Sequence, residues 1–261
     1  MHYPGPSADL VSAGGPGLFC LRRGRGAQYA LPVLQPGCDD RRVSTSTFEG
    51  GFAGDFESHV TVRCDEPELA RLETWAVGAE GVKLTHIVLG RGRVASQPML
   101  TITGSGTLAD QHARTGELER RLEAAGFTPV RTKIEASPWT AGVPQDRAQA
   151  GKSGPARYFE HHVKVRLPPG FDWRALADVA IPHGAHVSWN ARRVFGDGGQ
   201  DRFVTQRCHG VGNDEARERV DELCAALRES GEIVSVEREF VVFDSDASVD
   251  DGWIEERVGR E

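Results

Sequence analysis

The chain reads as an α+β protein made by tandem duplication of one ferredoxin-like β-α-β-β-α-β unit, giving two sheets with helices on one face of each. Three observations predict this. Phe56-Glu57-Ser58-His59-Val60-Thr61-Val62-Arg63 recurs as Phe159-Glu160-His161-His162-Val163-Lys164-Val165-Arg166, with six of eight positions identical at an offset of 103 residues. The offset persists: Gly81-Val82-Lys83-Leu84-Thr85 falls on Gly184-Ala185-His186-Val187-Ser188, Thr101 near Thr205, and Gly126 near Gly231. Both halves also pass through strand and helix periods in the same order. A repeat of roughly 100 residues is far longer than a solenoid unit, so it marks a duplicated half-domain whose two His-bearing strands are related by a pseudo-two-fold.

The elements follow from periodicity. In the first half, residues 55–136, Phe56–Arg63 alternates as a strand. Leu69, Leu72 and Trp75 then fall at helical spacing in Pro67–Val77. Lys83–Leu89 and Met99–Thr103 are strands, Glu117–Ala125 is a helix stopped by Gly126, and Phe127–Glu135 is the last strand. The second half, 158–244, places strands at 159–167, 185–192, 202–207 and 233–243. Its helices fall at 172–180 and 214–230, the latter burying Val220, Leu223, Cys224 and Leu227 and ending at Gly231. Residues 1–54, rich in Gly and Pro, read as disordered. Residues 137–157 form a Pro/Gly-rich linker, and 245–261 an acidic tail that Trp253 and Ile254 can tether.

Composition narrows the classes. A net charge of −7 argues against general nucleic-acid binding. Five cysteines without C-x-x-C spacing argue against disulfide or cysteine–zinc frameworks and for a reducing cytoplasm. No apolar run reaches the ~20 residues of a membrane span, and Met1–Pro6 lacks signal-peptide features. Oligomeric state is not legible.

Strand alternation then separates two faces. Val60, Val62, Val163 and Val165 should lie under the helices. Glu57, His59, Thr61 and Arg63 point the other way. So do Glu160, His162, Lys164 and Arg166 in the second copy, with His186, Ser188, Asn190 and Arg192 on the next strand. Arg131, Lys133, Glu135, Glu237, Glu239, Thr101, Thr205 and Arg207 complete this face. Solvated cross-strand ion pairs would be the plainer account, each worth ~0–1 kcal/mol. Against it, both copies keep Glu, His and Arg at matching places. Should the halves close face to face, these groups line a polar cleft.

Two histidines across a pseudo-two-fold can divide acid and base work, while Thr, Lys and Arg hold an anionic phosphoryl group. His59-Val60-Thr61-Val62 resembles the H-x-T-x signature of the two-histidine phosphoesterases, metal-independent enzymes with two related lobes. That resemblance implies His59 as a catalytic histidine and Thr61 as its phosphate-binding partner. In the second copy Lys164 stands where the signature has Ser or Thr, and the further match His186-Val187-Ser188-Trp189 lies on another strand. The run Glu160-His161-His162-Val163-Lys164 also resembles the alternating first strand of triphosphate tunnel enzymes, which implies Mg²⁺ held by carboxylates. A third reading gathers His162, His183, His186 and Glu160 around Zn²⁺.

The resulting expectation is binding and hydrolysis of a small phosphorylated, phosphodiester-type substrate by a metal-independent hydrolase. Catalytic roles fall to His59, His162, Glu57 and Glu160. Substrate-binding roles fall to Thr61, Arg63, Lys133, Lys164, Arg166, His186, Ser188, Asn190, Arg192, Thr205 and Arg207. No cofactor is expected on this reading, with Mg²⁺ or Zn²⁺ as alternatives, and the competing class is a non-catalytic ligand-binding or interaction module. His161 points to the core, Trp139, Trp173 and Trp189 read as packing residues, and no cysteine has a base partner by spacing.

Overall fold

A computed structural model describes residues 51–191 and 199–253. The expectations for residues 1–50, for Arg192 and for the tail from Ile254 onward therefore fall outside the described residues. The first half runs β1 (Ala53–Arg63), α1 (Glu66–Val77), β2 (Lys83–Leu89), β3 (Ser96–Thr107), α2 (Leu108–Ala124) and β4 (Thr128–Ala136). A short helix, α3 (Arg147–Ala150), precedes the second half. That half runs β5 (Tyr158–Leu167), α4 (Trp173–Ala180), β6 (Ala185–Asn190), β7 (Gln200–His209), α5 (Asn213–Leu227) and β8 (Glu232–Asp244). Each half is the β-α-β-β-α-β unit that the repeat predicts.

The two sheets join edge to edge. The strand order β1-β3-β2-β6-β7-β5-β8-β4 closes into one antiparallel barrel. One seam pairs Ile87–Leu89 with Ser188–Asn190, and the other pairs Lys133–Ala136 with Phe240–Asp244. Equivalent edges meet in both, β2 with β6 and β4 with β8, as a two-fold requires. Closure removes the sheet edges that would otherwise be open to pairing. The polar face therefore lines the lumen of a barrel, where the sequence pointed to a cleft between facing sheets.

Packing outside the barrel follows the alternation. Val60, Val62, Leu100, Leu118 and Leu122 form one core under α1 and α2, while Val163, Val165, Leu176, Val204, Val220 and Leu223 form another under α4 and α5. A third cluster (Phe52, Phe56, Ile134, Phe159, Phe240) binds the halves at the β4–β8 seam. Val143 of the linker joins that cluster, and Ala141 bridges Ala53, so the expected linker is docked on the barrel.

Helix limits have local causes. Asp65 and Glu68 form a capping box on α1, and Thr107 and Asp110 form one on α2. α2 thus starts nine residues earlier than its apolar stripe suggests, because its first turns carry few apolar side chains. Gly126 takes the left-handed φ of 79° that ends α2. α5 stops at Leu227, capped by Arg228 and short of the expected Gly231, whose own constraint is different: a Cβ there would lie 2.4 Å from the Arg166 carbonyl oxygen.

Candidate functional site

The lumen gathers the charged face into one network. On β1, His59 Nδ1 lies 2.9 Å from Thr101 Oγ1 of β3, and its Nε2 lies 2.7 Å from Glu135 Oε2 of β4. Glu57 Oε1 stands 3.7 Å from the same Nε2. The second half repeats the set: His162 Nδ1 lies 3.0 Å from Thr205 Oγ1, and its Nε2 stands 3.6 Å from Glu239 and 3.9 Å from Glu160. Each half therefore contributes a Glu-x-His pair from its first strand, a threonine from its third and a glutamate from its fourth. The offsets from first copy to second are 103 or 104 residues throughout.

The two sets run head to head. Equivalent strands are antiparallel across the seams, so β1 and β5 bring their glutamates together mid-barrel and send their basic residues to opposite ends. Glu57 pairs with Glu135, Glu135 with Val241 and Val241 with Tyr158, and the next row joins Glu160 to Glu239. Lys133 bridges this centre, with Nζ 2.7 Å from Glu135 Oε1 and 2.5 Å from Glu160 Oε2. Arg207 Nε reaches Glu160 Oε1 at 2.7 Å, and its other arm reaches Asp250 at 2.6 Å. Asp250, from the 3₁₀ turn Ala247–Asp250, also binds Arg131 at 2.9 Å and Gln97 at 3.1 Å. Arg131 in turn grips Asp244 through two bonds of 2.9 and 2.6 Å.

Six carboxylates of this network (Glu57, Glu135, Glu160, Glu239, Asp244, Asp250) thus face three permanent cations (Arg131, Lys133, Arg207) and two imidazoles. The imbalance separates the acids. Burial works against charge on Glu135, but Lys133 and His59 more than offset it and hold the group at about 2. Burial likewise opposes charge on Glu160, yet Arg207 and Lys133 keep it well below the usual range. Glu239 has no Lys or Arg within ion-pair distance among the described residues. Burial first, then the charges of Glu135 and Glu57, push it well above the usual 4.5.

The remaining sequence-predicted residues divide. Thr61 is buried in the lumen and pairs with Arg131 across the β1–β4 ladder. Arg63 is exposed at the end of β1. Lys164 and Arg166 meet on Asp201, each at 2.8 Å, at the far end of β5. Ser188 is buried, and Asn190 sits at the β2–β6 seam opposite Ile87. His186 pairs with Thr205, two strands from His162, and its ring packs near Trp253. Two strand spacings are ~9.6 Å, so the set His162, His183, His186, Glu160 is not brought together around one ion. The His/carboxylate group that does converge is Glu135, His162 and Glu239, with ligand atoms all within 4.8 Å.

Other expectations fare variously. His161 is fully buried against Gln206, and burial pushes it down to about 4, as a core histidine. Burial raises the Cys64 and Cys208 thiols to about 11, far from nucleophilic. Trp139 is 70% exposed, not a packing residue. Trp253 does tether the tail, its indole N–H donating to the Val187 carbonyl at 3.2 Å. Asp250 carried no sequence signal, since nothing in an acidic tail marks which residue turns inward. The Glu135/Glu239 pair did carry one, the same 104-residue offset as Thr101/Thr205. Surface hollows of about 480 Å³ beside Trp75 and Phe127, and about 220 Å³ beside Trp173 and Trp253, do not include the two lumen histidines.

No known protein family and no curated protein matches the chain. Among solved structures, it is similar to chlorite dismutase from Candidatus Nitrospira defluvii in complex with imidazole. That match has 10% identity, covers 72% of this chain and 91% of the other, and has a TM-score of 0.25. A mutant of the same enzyme matches at 12% identity over 76% and 93% of the two chains, again with a TM-score of 0.25. At that score the likeness does not bear on the chemistry of the lumen.

Proposed function

We propose that the chain binds a small phosphorylated substrate in the barrel lumen and hydrolyses its phosphoester by acid–base chemistry. The supporting observation is the Glu/His/Thr/Glu set, made twice with both imidazoles oriented by threonine. His59 donates Nε2–H to Glu135 and would take the proton of the attacking water at Nδ1, relayed by the Thr101 hydroxyl, which gives its proton to Nδ1 and receives the water's as the new O–P bond forms. As the P–O bond to the leaving group breaks, the second set supplies positive charge to the departing oxygen, by proton transfer from His162. Thr61, Lys133, Arg207 and the basic residues nearer the strand ends, Arg63, Lys164 and Arg166, would guide and hold the anion.

His59→Ala and His162→Ala test this against a panel of cyclic, 2′-5′ and 3′-5′ phosphodiesters. Each should lower turnover by ~10²–10⁴ while the fold persists. Unchanged turnover in both variants, or none in the parent chain, would refute it. A second reading, a non-catalytic module whose lumen only clamps the two halves, is favoured by the saturated Arg131–Asp244–Asp250–Arg207 group. On that reading the variants lose stability and there is no turnover to lose. Among the described residues no helix is long and apolar enough to cross a membrane. The unpaired Cys64, Cys208 and Cys224 suit our further proposal of a reducing, cytoplasmic setting.

A further inference from the structure

We propose that Glu135, His162 and Glu239 form a binding site for one divalent first-row cation. The inference rests on the lumen being the functional site, and gives the second set's positive charge to an ion in place of a proton on His162.

Spacing is the first argument. His162 Nε2 and Glu239 Oε2 stand 3.6 Å apart, too far for a hydrogen bond. Two ligands at ~2.1 Å from a shared tetrahedral ion would lie ~3.4 Å apart. The matching atoms of the first half, His59 Nε2 and Glu135 Oε2, have closed to 2.7 Å and leave no such gap. The ring is also prepared: Nδ1 of His162 faces Thr205 Oγ1 at 3.0 Å, the outer contact that fixes a ligating imidazole and leaves Nε2 to the metal.

The carboxylates supply an independent argument. Glu135 is fully buried, its Oε2 is taken by His59, and its Oε1 has no hydrogen-bond partner. Lys133 Nζ is 2.7 Å from that oxygen, a Coulombic contact outside hydrogen-bonding angles. Glu239 abuts the same spot without a lysine or arginine of its own. A buried and a half-buried carboxylate pressed together beside an imidazole, within a network short of positive charge, attract a cation. His162 and Glu239 retain 22% and 17% side-chain exposure, so the spot is not sealed. One nitrogen and two oxygens suit Zn²⁺ or Mn²⁺ over Mg²⁺, which favours oxygen alone.

Calorimetric titration of the full chain with Zn²⁺ tests the site, with thermal melts run in parallel. The expected result is one saturable equivalent that raises the melting temperature. Affinity should fall at least tenfold in His162→Gln and in Glu239→Gln, and by roughly tenfold in Thr205→Val. His186→Gln, outside the cluster, should bind as the parent does. Absence of a saturable equivalent would overturn the inference, as would binding that survives both ligand variants or is lost in His186→Gln. Melts of each variant without metal separate lost binding from lost fold. Failure here, with turnover intact under chelator, leaves the hydrolytic reading standing. Zn²⁺ binding without turnover of any diester does the reverse.

Discussion

Replacing Asp250 by Asn should loosen the barrel measurably, and the size of the effect follows from what the carboxylate holds. Asp250 is 4% exposed and accepts from Arg131 at 2.9 Å, Arg207 at 2.6 Å and Gln97 at 3.1 Å. Breaking a buried ion pair costs about 3–5 kcal/mol. Both arginines keep a second carboxylate, Asp244 and Glu160 respectively, so the lower end applies, about 3 kcal/mol. For a folded region of this size that corresponds to a melting temperature lower by ~6–12 °C. The pH dependence carries a sign. Burial raises the Asp250 pKa, but Arg131 and Arg207 outweigh it and depress the folded value below 3.8. The unfolded chain therefore takes up this proton first as pH falls. The stabilisation is full above about pH 4 and is lost as pH drops through the folded value. Urea denaturation of parent and Asp250→Asn at pH 7, and then between pH 5 and 2, should show curves that converge toward acid. A difference under about 1 kcal/mol at pH 7, or one that does not shrink toward pH 2, would refute the account of Asp250 as the hub between Arg131 and Arg207.

Three further outcomes are expected. Gly212→Ala should destabilise by about 2 kcal/mol or more, because the new Cβ would fall 2.4 Å from the Asp146 Cα and force α5 away from the docked linker; urea melts check this. In His161→Leu, stability should lose the rise that the parent shows from pH 4 to 6.5. The unfolded chain protonates this imidazole near 6.5 and the folded one only near 4, so about 3 kcal/mol disappears as pH falls through that window. Parent-minus-variant stability across the window reads the effect. Trp139→Ala should cost under about 1 kcal/mol, since its ring is exposed and Arg238 lies no closer than 6.0 Å to the ring centre; urea melts check this.

The fold was legible because the duplication is written in the sequence and because period-2 alternation assigns faces without knowledge of the partner. His59, His162, Glu57 and Glu160 were placed on the right face by that alternation alone. Closure was not legible, since the seams are short, three or four residues each, and nothing in Ile87–Leu89 or Lys133–Ala136 names its partner strand. The individual pairings were hidden for the same reason. Lys133 meets Glu160 only after β4 and β8 join, and Asp250 meets Arg131 and Arg207 only after the chain folds back beyond β8. Lys164 and Arg166 were expected to hold an anion, and both engage Asp201. That aspartate lies outside the repeated motif and so escaped a reading centred on the repeat.

The two copies share their histidine strands and differ in what surrounds them, and the difference is chemically useful. At the position of Lys133 in the first copy, the second has Glu237, exposed beyond the end of the β4–β8 seam. That exchange leaves Glu135 with an ammonium group beside it and Glu239 with none. One glutamate is accordingly held at about 2, and its counterpart is pushed well above 4.5. A symmetric pair of sites would give two groups of equal acidity, unable to divide proton donation from proton acceptance. Divergence at one lumen position supplies the asymmetry, because environments that drive paired titratable groups apart are what separate acid from base. On the proposed acid–base function, Lys133 is therefore the residue on which the division of roles would turn. In Lys133→Met the Glu135 and Glu239 carboxyls should titrate closer together, which carboxyl-labelled NMR can follow. Retention of two widely separated titrations would place the cause of the asymmetry in His59, the other group that lowers Glu135, instead.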